Sequence, residues 1–301
     1  MTLGALWKVL RRALAGWWND NVPHLGAALS YYTLFALAPI LIVAMSIAGL
    51  AFGEEAVRGE IVGQIDGLVG HEGAVAVQAM LEGASRPSSS IPATIIGVVT
   101  FFLGATGAFL ELQTALNAIW RVKPKASGSL LRALVIDRLI SFGLVVAVGF
   151  LLLTSLVVSA GLAALDQYMG QAFPGVAIVW QAVNVLVSLG VITLLFAMIY
   201  KVLPDVELAW SDVWVGALVT AGMFTLGKFL IGLYLGTSSL ASSYGAAGSV
   251  IVLLVWVYYS AQILLLGAEF TREYVQQFGR RPPPSEFATK DPAPPLKRVS
   301  E

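Results

Sequence analysis

Lys228 stands inside TAGMFTLGKFLIGLYLG (Thr220–Gly236), a run of apolar and small residues with no acidic residue near it. An ammonium in such a run is costly unless it is partnered or hydrated. Its natural chemistry there is to hold an anionic group. Lys228 lies seven residues from Leu235, hence roughly 10 Å from that end of its apolar stretch at 1.5 Å per helical residue. Asn184 lies eight residues into another stretch, roughly 12 Å deep by the same rise. The following GTSSLASSYGAAGS (Gly236–Ser249) supplies hydroxyls that would line a wet opening. One expectation is a polar cavity that holds Lys228 and Asn184 and binds an anionic head group or substrate. The competing expectation is that Lys228 snorkels along its stem to the nearer interface, or meets a backbone carbonyl.

A second set of polar residues falls at the opposite ends of three apolar stretches. Glu111, Asn117 and Arg121 close one, Gln262 and Glu269 (with Arg272) close another, and Tyr31 and Tyr32 open a third. All three ends lie at one depth. These residues are a candidate cytoplasmic gate or proton-coupled site. The alternative is structural: Glu111 pairs with Arg121, Glu269 pairs with Arg272, and the tyrosines anchor at the membrane interface.

Hydrolytic chemistry finds little support. The two histidines, His24 and His71, fall on opposite sides of a membrane in the topology below. The acids Asp20, Asp137, Asp205, Glu207, Asp212, Glu269 and Glu273 match no metal-ligand spacing, which a metal-dependent hydrolase needs. There is no cysteine, no glycine-rich phosphate loop and no G-x-S-x-G elbow. The expectation is a protein that is not an enzyme and has no cofactor and no metal. Eighteen basic and eighteen acidic residues cancel, so no basic field argues for nucleic acid as a partner.

The elements that position these residues follow from composition. The chain has 301 residues, 57% of them hydrophobic and 12% charged, and mean hydropathy is +0.81. A soluble domain is about 25% charged. Six stretches approach or exceed the roughly 20 apolar residues a span requires. They are Gly26–Phe52, Ile91–Leu112, Leu139–Leu165, Val176–Tyr200, Val213–Leu235 and Ala246–Phe270. None alternates as a barrel strand does, so helices are expected. Lysine and arginine gather in the N-terminal segment, after the second and fourth stretches, and after the sixth; the other side has Arg58 and Arg86. That bias puts both termini in the cytoplasm.

In residues 1–22, Leu3, Leu6, Trp7, Leu10, Leu14, Trp17 and Trp18 recur at helical spacing opposite Lys8, Arg11 and Arg12. This is an interfacial amphipathic helix, with its cations near anionic head groups; packing on the bundle is a compatible alternative. The loop 53–90 predicts a helical extracytoplasmic cap, with a second short helix over Gly73–Ala84. Residues 23–278 form the membrane domain. The proline-rich tail, 279–301, reads as a disordered cytoplasmic segment.

Three passages carry a resemblance: AALSYYTLFALAPILI (Ala27–Ile42), LELQTALNAIWRV (Leu110–Val122) and YGAAGSVIVLLVWVYYSAQILLLGAEFTREY (Tyr244–Tyr274). Together, and in this order, they resemble the YihY/BrkB family of bacterial inner-membrane proteins, once labelled ribonuclease BN. The resemblance implies a six-helix integral membrane protein and a role in moving lipids or other amphiphiles, or in envelope integrity. The expected fold is all-α, a polytopic membrane protein with six transmembrane helices, an interfacial N-terminal helix and a helical extracytoplasmic cap. It is expected in the bacterial plasma (inner) membrane as a multi-pass protein. The leading functional expectation is transport or translocation of an amphiphilic or anionic substrate such as a lipid. A non-transporting membrane scaffold for envelope integrity is second, and a membrane-bound hydrolase or nuclease is third. Expected partners are membrane lipids and a second copy or an envelope protein.

Overall fold

A computed structural model describes residues 3–52, 59, 62–63, 66, 71–85, 107–125, 177–237, 244, 247–279, 282–286 and 288–291. In chain order the described elements are α1 (Leu3–Asn19), α2 (Val22–Phe52), α3 (His71–Ser85), α4 (107–120), β1 (Val122–Pro124), α5 (Ala177–Val202), α6 (Trp210–Thr237), α7 (Gly248–Phe278) and β2 (Ala288–Lys290). Among the described residues, three helices are long and apolar enough to cross a membrane: Val185–Val202, Trp210–Leu235 and Gly248–Phe278. Much of their surface is uncovered: Leu186, Leu218, Leu226, Phe229 and Tyr258 are all exposed. Their apolar rims fit lipid as the surrounding solvent, because hydrocarbon leaves apolar side chains without a drive to hide. α2 runs 31 residues without a charged side chain and continues past Pro39. The expected third span, Leu139–Leu165, and residues 91–106 of the second lie outside the described residues.

α1 and α2 are separated by a two-residue turn. The Asp20 amide bonds to the Gly16 carbonyl, and Asn21 takes the left-handed conformation (φ 55°). Asparagine accepts that region more readily than most residues. α3 covers the helix expected near Gly73–Ala84. Ala76, Val77 and Leu81 pack with Val252, Leu253 and Val257 of α7 and with Leu34, Leu37 and Leu41 of α2. Leu235, near the end of α6, joins the same cluster, so α3 packs where α2, α6 and α7 come together.

α6 and α7 meet through small residues. A methyl group built on Gly216 would land on Thr271, and one on Gly267 would land on Thr220 and Tyr200. Each threonine hydroxyl donates to the carbonyl four residues back, Thr220 to Gly216 and Thr271 to Gly267 (both 2.7 Å). The contact is a reciprocal interlock: the glycine of each helix receives the threonine of the other. With its hydroxyl bonded to its own helix, threonine fits a dry, close contact.

The tail departs from expectation. Residues 282–286 and 288–291 are ordered and cross the α1 end of the bundle, turning where the Ala288 amide donates to the Ser285 carbonyl (3.0 Å). β2 pairs antiparallel with β1, Lys123 opposite Thr289. The Pro283 carbonyl accepts the Glu207 amide (3.0 Å), the Ser285 amide donates to the Asp205 carbonyl (2.9 Å), and the Asp291 amide donates to the Arg121 carbonyl (2.8 Å). Proline lacks a donor but keeps its acceptor, so a proline-rich strand can serve as an edge. Residues 292–301 lie outside the described residues.

Two outcomes check these contacts. Gly216→Ala should lower stability by about 1–3 kcal/mol, the usual range for overpacking, read as a reduced unfolding midpoint in detergent. Adding Thr271→Ala should recover part of the loss. In this cysteine-free chain, Lys123→Cys with Thr289→Cys should form a disulfide under mild oxidant; a folded protein that keeps both thiols would contradict the β1–β2 register.

Candidate functional site

The densest polar constellation lies where α1, α4 and α7 converge. Its centre is Arg272, 4% exposed, beside Glu269, which is fully buried. Arg272 Nη1 donates to Asp20 Oδ2 (2.7 Å) and to the Ile119 carbonyl at the end of α4 (2.6 Å). Arg272 Nη2 lies 2.8 Å from Glu269 Oε2, one turn back, and 3.2 Å from Glu273 Oε1. A guanidinium can do this because its fork presents separate donors to separate acceptors; an ammonium is a single point. Asp20 also receives Arg121 Nη2 at 3.5 Å. Three carboxylates thus surround Arg272, with Arg121 at the rim.

The pairing is incomplete. Neither oxygen of Glu269 accepts a well-aligned hydrogen bond, and Arg272 Nε has no acceptor. The 2.8 Å contact is therefore chiefly charge against charge. Gly16 of α1 closes the site from above: a methyl there would meet Glu269 Oε2 at 2.5 Å and Arg272 Nη2 at 3.0 Å. Glycine at this position lets the α1 backbone lie directly on the ion pair. Next to Gly16, Trp17 Nε1 donates to Gln262 Oε1 (3.1 Å), about two turns before Glu269 on α7. Gly26 of α2 abuts the amide of the same glutamine.

A second network centres on Asp205, in the α5–α6 connection. Asn117 Nδ2 donates to Asp205 Oδ2 (2.7 Å), and the Asp205 amide donates back to Asn117 Oδ1 (2.8 Å). Gln113 Nε2 adds a contact to Asp205 Oδ1 at 3.3 Å. α4 therefore carries parts of both networks, Gln113 and Asn117 toward Asp205 and the Ile119 carbonyl toward Arg272.

A third polar contact binds α5, α6 and α7. The buried Tyr200 hydroxyl donates to the Leu264 carbonyl (2.7 Å) and lies 3.0 Å from Thr220 Oγ1. Each hydroxyl has one proton. With the Tyr200 proton on the Leu264 carbonyl and the Thr220 proton on the Gly216 carbonyl, the 3.0 Å approach of the two hydroxyls is a polar contact and not a further hydrogen bond.

Of the expected gate residues, Asn117, Arg121, Gln262 and Glu269 all enter these networks. Glu269 pairs with Arg272 as the structural reading anticipated. Arg121 turns to Asp20 rather than to Glu111. Tyr31 and Tyr32 are exposed, and their rings pack edge to face against each other at 5.6 Å. Lys228 has an exposed side chain on the C-terminal half of α6, where Phe229, Leu230 and Leu233 are also exposed. It makes no ion pair with any described residue. Asn184 belongs to α5; its side chain lies outside the described residues. Sequence reasoning passed over Asp20 and Asp205 as scattered acids and Tyr200 as a span boundary. Their positions beside helix ends were the available signal.

Away from these networks, α5 and α6 border an open groove of about 460 Å³. Leu186, Leu189, Gly190 and Thr193 line one wall, and Trp214, Val215 and Leu218 the other. Thr193 donates to the Leu189 carbonyl (2.7 Å), which leaves the groove almost wholly apolar. Among the described residues, no group of three or more His, Asp or Glu side chains is placed to hold a metal ion.

The sequence model of the family described as Virulence factor BrkB matches residues 13–291. The chain belongs to the BrkB family. The match extends beyond α7 to Asp291, so it includes β2 and every member of the Arg272 and Asp205 networks. BrkB-family relatives include a UPF0761 membrane protein of Rhodospirillum centenum, 32% identical over 269 residues that cover 87% of this chain and 56% of that protein. A UPF0761 membrane protein of Ralstonia nicotianae is 29% identical over 260 residues, 86% of this chain and 56% of that one. The chain spans little more than half the length of these relatives. No solved structure matches.

For this BrkB-family protein, Arg272→Met should cost about 3–5 kcal/mol, because it strands buried carboxylates without a counter-charge. Arg272→Lys should recover less than half, since one ammonium cannot serve Asp20 and the Ile119 carbonyl while facing Glu269. Denaturant unfolding in micelles measures both. Equal stability of Arg272→Met and the parent would remove Arg272 from the centre of the site.

Proposed function

We propose that this BrkB-family membrane protein translocates an amphiphilic or anionic substrate, such as a lipid, across a bacterial inner membrane. In this reading the α1 end faces the cytoplasm, consistent with the lysines and arginines gathered there. The observation that carries the proposal is the apolar groove between α5 and α6. Its roughly 460 Å³ falls within the roughly 300–1,000 Å³ of ligand sites, and its walls suit an acyl chain. Lys228, on the outer half of α6, supplies a cation for an anionic head group. The Arg272 and Asp205 networks, overlaid by the tail, serve as the closed inner end of the path. Coupling energy comes from a gradient or a partner protein, since the sequence holds no nucleotide-binding loop.

A scaffold for envelope integrity is the second reading. It is favoured by the fixed hydrogen bonds that join α1, α4, α7 and the tail at one end, which a static assembly requires and a moving one must break.

Reconstitution into liposomes that contain fluorescent phospholipids or entrap small anions separates the two. The transport reading expects protein-dependent movement of the anionic lipid. It expects Lys228→Met to slow that movement by about 10- to 100-fold, the equivalent of one charged hydrogen bond, with Lys228→Arg near the parent rate. Folded protein that moves neither probe would leave the scaffold.

A further inference from the structure

α1 presents three faces. Val9, Ala13 and Gly16 are buried against the bundle, where Val9 and Ala13 cluster with Phe270. Trp7 (66% exposed), Leu14 and Trp18 (73% exposed) form an uncovered apolar stripe. Lys8, Arg11 and Arg12 form an exposed cationic stripe. The helix contains no acidic residue to offset those cations. At roughly 100° per residue, the centres of the apolar and cationic stripes are roughly a quarter-turn apart. A helix resting beside a bundle in the plane of a bilayer surface needs this arrangement, with one side on protein, one toward acyl chains and one among head groups.

The level of α1 agrees. Phe270 is 22 residues along α7 from Gly248, roughly 33 Å at 1.5 Å per residue, close to the roughly 30 Å of bilayer hydrocarbon. The helix that packs on Phe270 therefore meets the membrane at its boundary. Tryptophan favours that depth. A soluble protein partner would leave the two exposed tryptophans at the lipid boundary unexplained.

We propose that α1 is a docking surface for anionic phospholipid head groups, bound by Lys8, Arg11 and Arg12 while Trp7 and Trp18 enter the acyl boundary. The docked helix keeps the ion cluster covered, because Gly16 lies on Glu269 and Asp20 ends α1 on Arg272. This holds whether or not the chain moves a substrate.

The test is amide hydrogen exchange of residues 3–19 in the full chain, in nanodiscs of phosphatidylcholine alone and of phosphatidylcholine with phosphatidylglycerol. Each cation near an anionic surface contributes a factor of roughly five. Exchange in the anionic discs should therefore be at least roughly tenfold slower, and high salt should erase the difference. Lys8→Gln, Arg11→Gln and Arg12→Gln together should abolish it without changing exchange in α6 and α7. If the triple variant does not fold, the lipid comparison and the salt titration on the parent chain still decide. Equally strong protection in both lipids would assign α1 to bundle packing. Equally weak protection would leave its exposed stripes for a protein partner. Either result overturns the proposal.

Discussion

A buried guanidinium is the constraint around which this molecule is arranged. Arg272 is withdrawn from water, and a charge so placed must be met by opposite charge and hydrogen-bond acceptors. No single helix supplies enough of them. Glu269 and Glu273 come from its own turns, Asp20 from the α1–α2 turn, and the Ile119 carbonyl from the end of α4. Satisfying one side chain therefore fixes where three segments end. Gly16 follows from the same demand, since α1 must come close enough to carry Asp20 to the site. The β1–β2 pairing extends the arrangement into the tail, because β1 continues directly from α4.

The packing is uneven along the bundle axis, and the bilayer explains why this is stable. The largest buried cluster, with Leu116, Ile119, Tyr200, Leu208 and Leu265, lies toward the α1 end. The opposite halves of α5 and α6 leave Val185, Leu186, Leu226 and Phe229 exposed. In water such a surface would drive association; in hydrocarbon it costs little. Polar groups obey the reverse rule. They concentrate at the end where water and head groups begin, and inside the bundle they are tied to carbonyls, as Tyr200 and Thr220 are. Lys228 departs from this pattern as an exposed cation on an otherwise apolar half of α6, which is why it remains the probe of choice for function.

Much of the α1-end site was legible from residue types and depth. Asn117, Arg121, Gln262 and Glu269 stand near the ends of apolar stretches expected to finish at one membrane face, and each makes a polar contact there, though with a different partner. The Glu269–Arg272 contact was legible because three-residue spacing places both on one helical face. The partners of the rest were not. Asp20 and Arg272 are 252 residues apart, and Asn117 and Asp205 are 88 apart. The tail misled for a different reason: its composition is that of disordered chain, yet its carbonyls and amides found partners on the β1 edge and the α5–α6 connection.

The sequence by itself determined the class of molecule and the apolar helices α2, α5, α6 and α7. Those depend on apolar length and on periodicity, which are local properties that each segment carries alone. It also determined the amphipathic nature of α1, for the same reason. Only the tertiary structure decided which acid meets Arg272, that α3 packs with α2 and α7, and that residues 282–286 and 288–291 fold back over the bundle. Those outcomes depend on which segments become neighbours. That choice belongs to the packing of the whole chain, where a buried charge selects among distant partners by geometry that no single segment encodes.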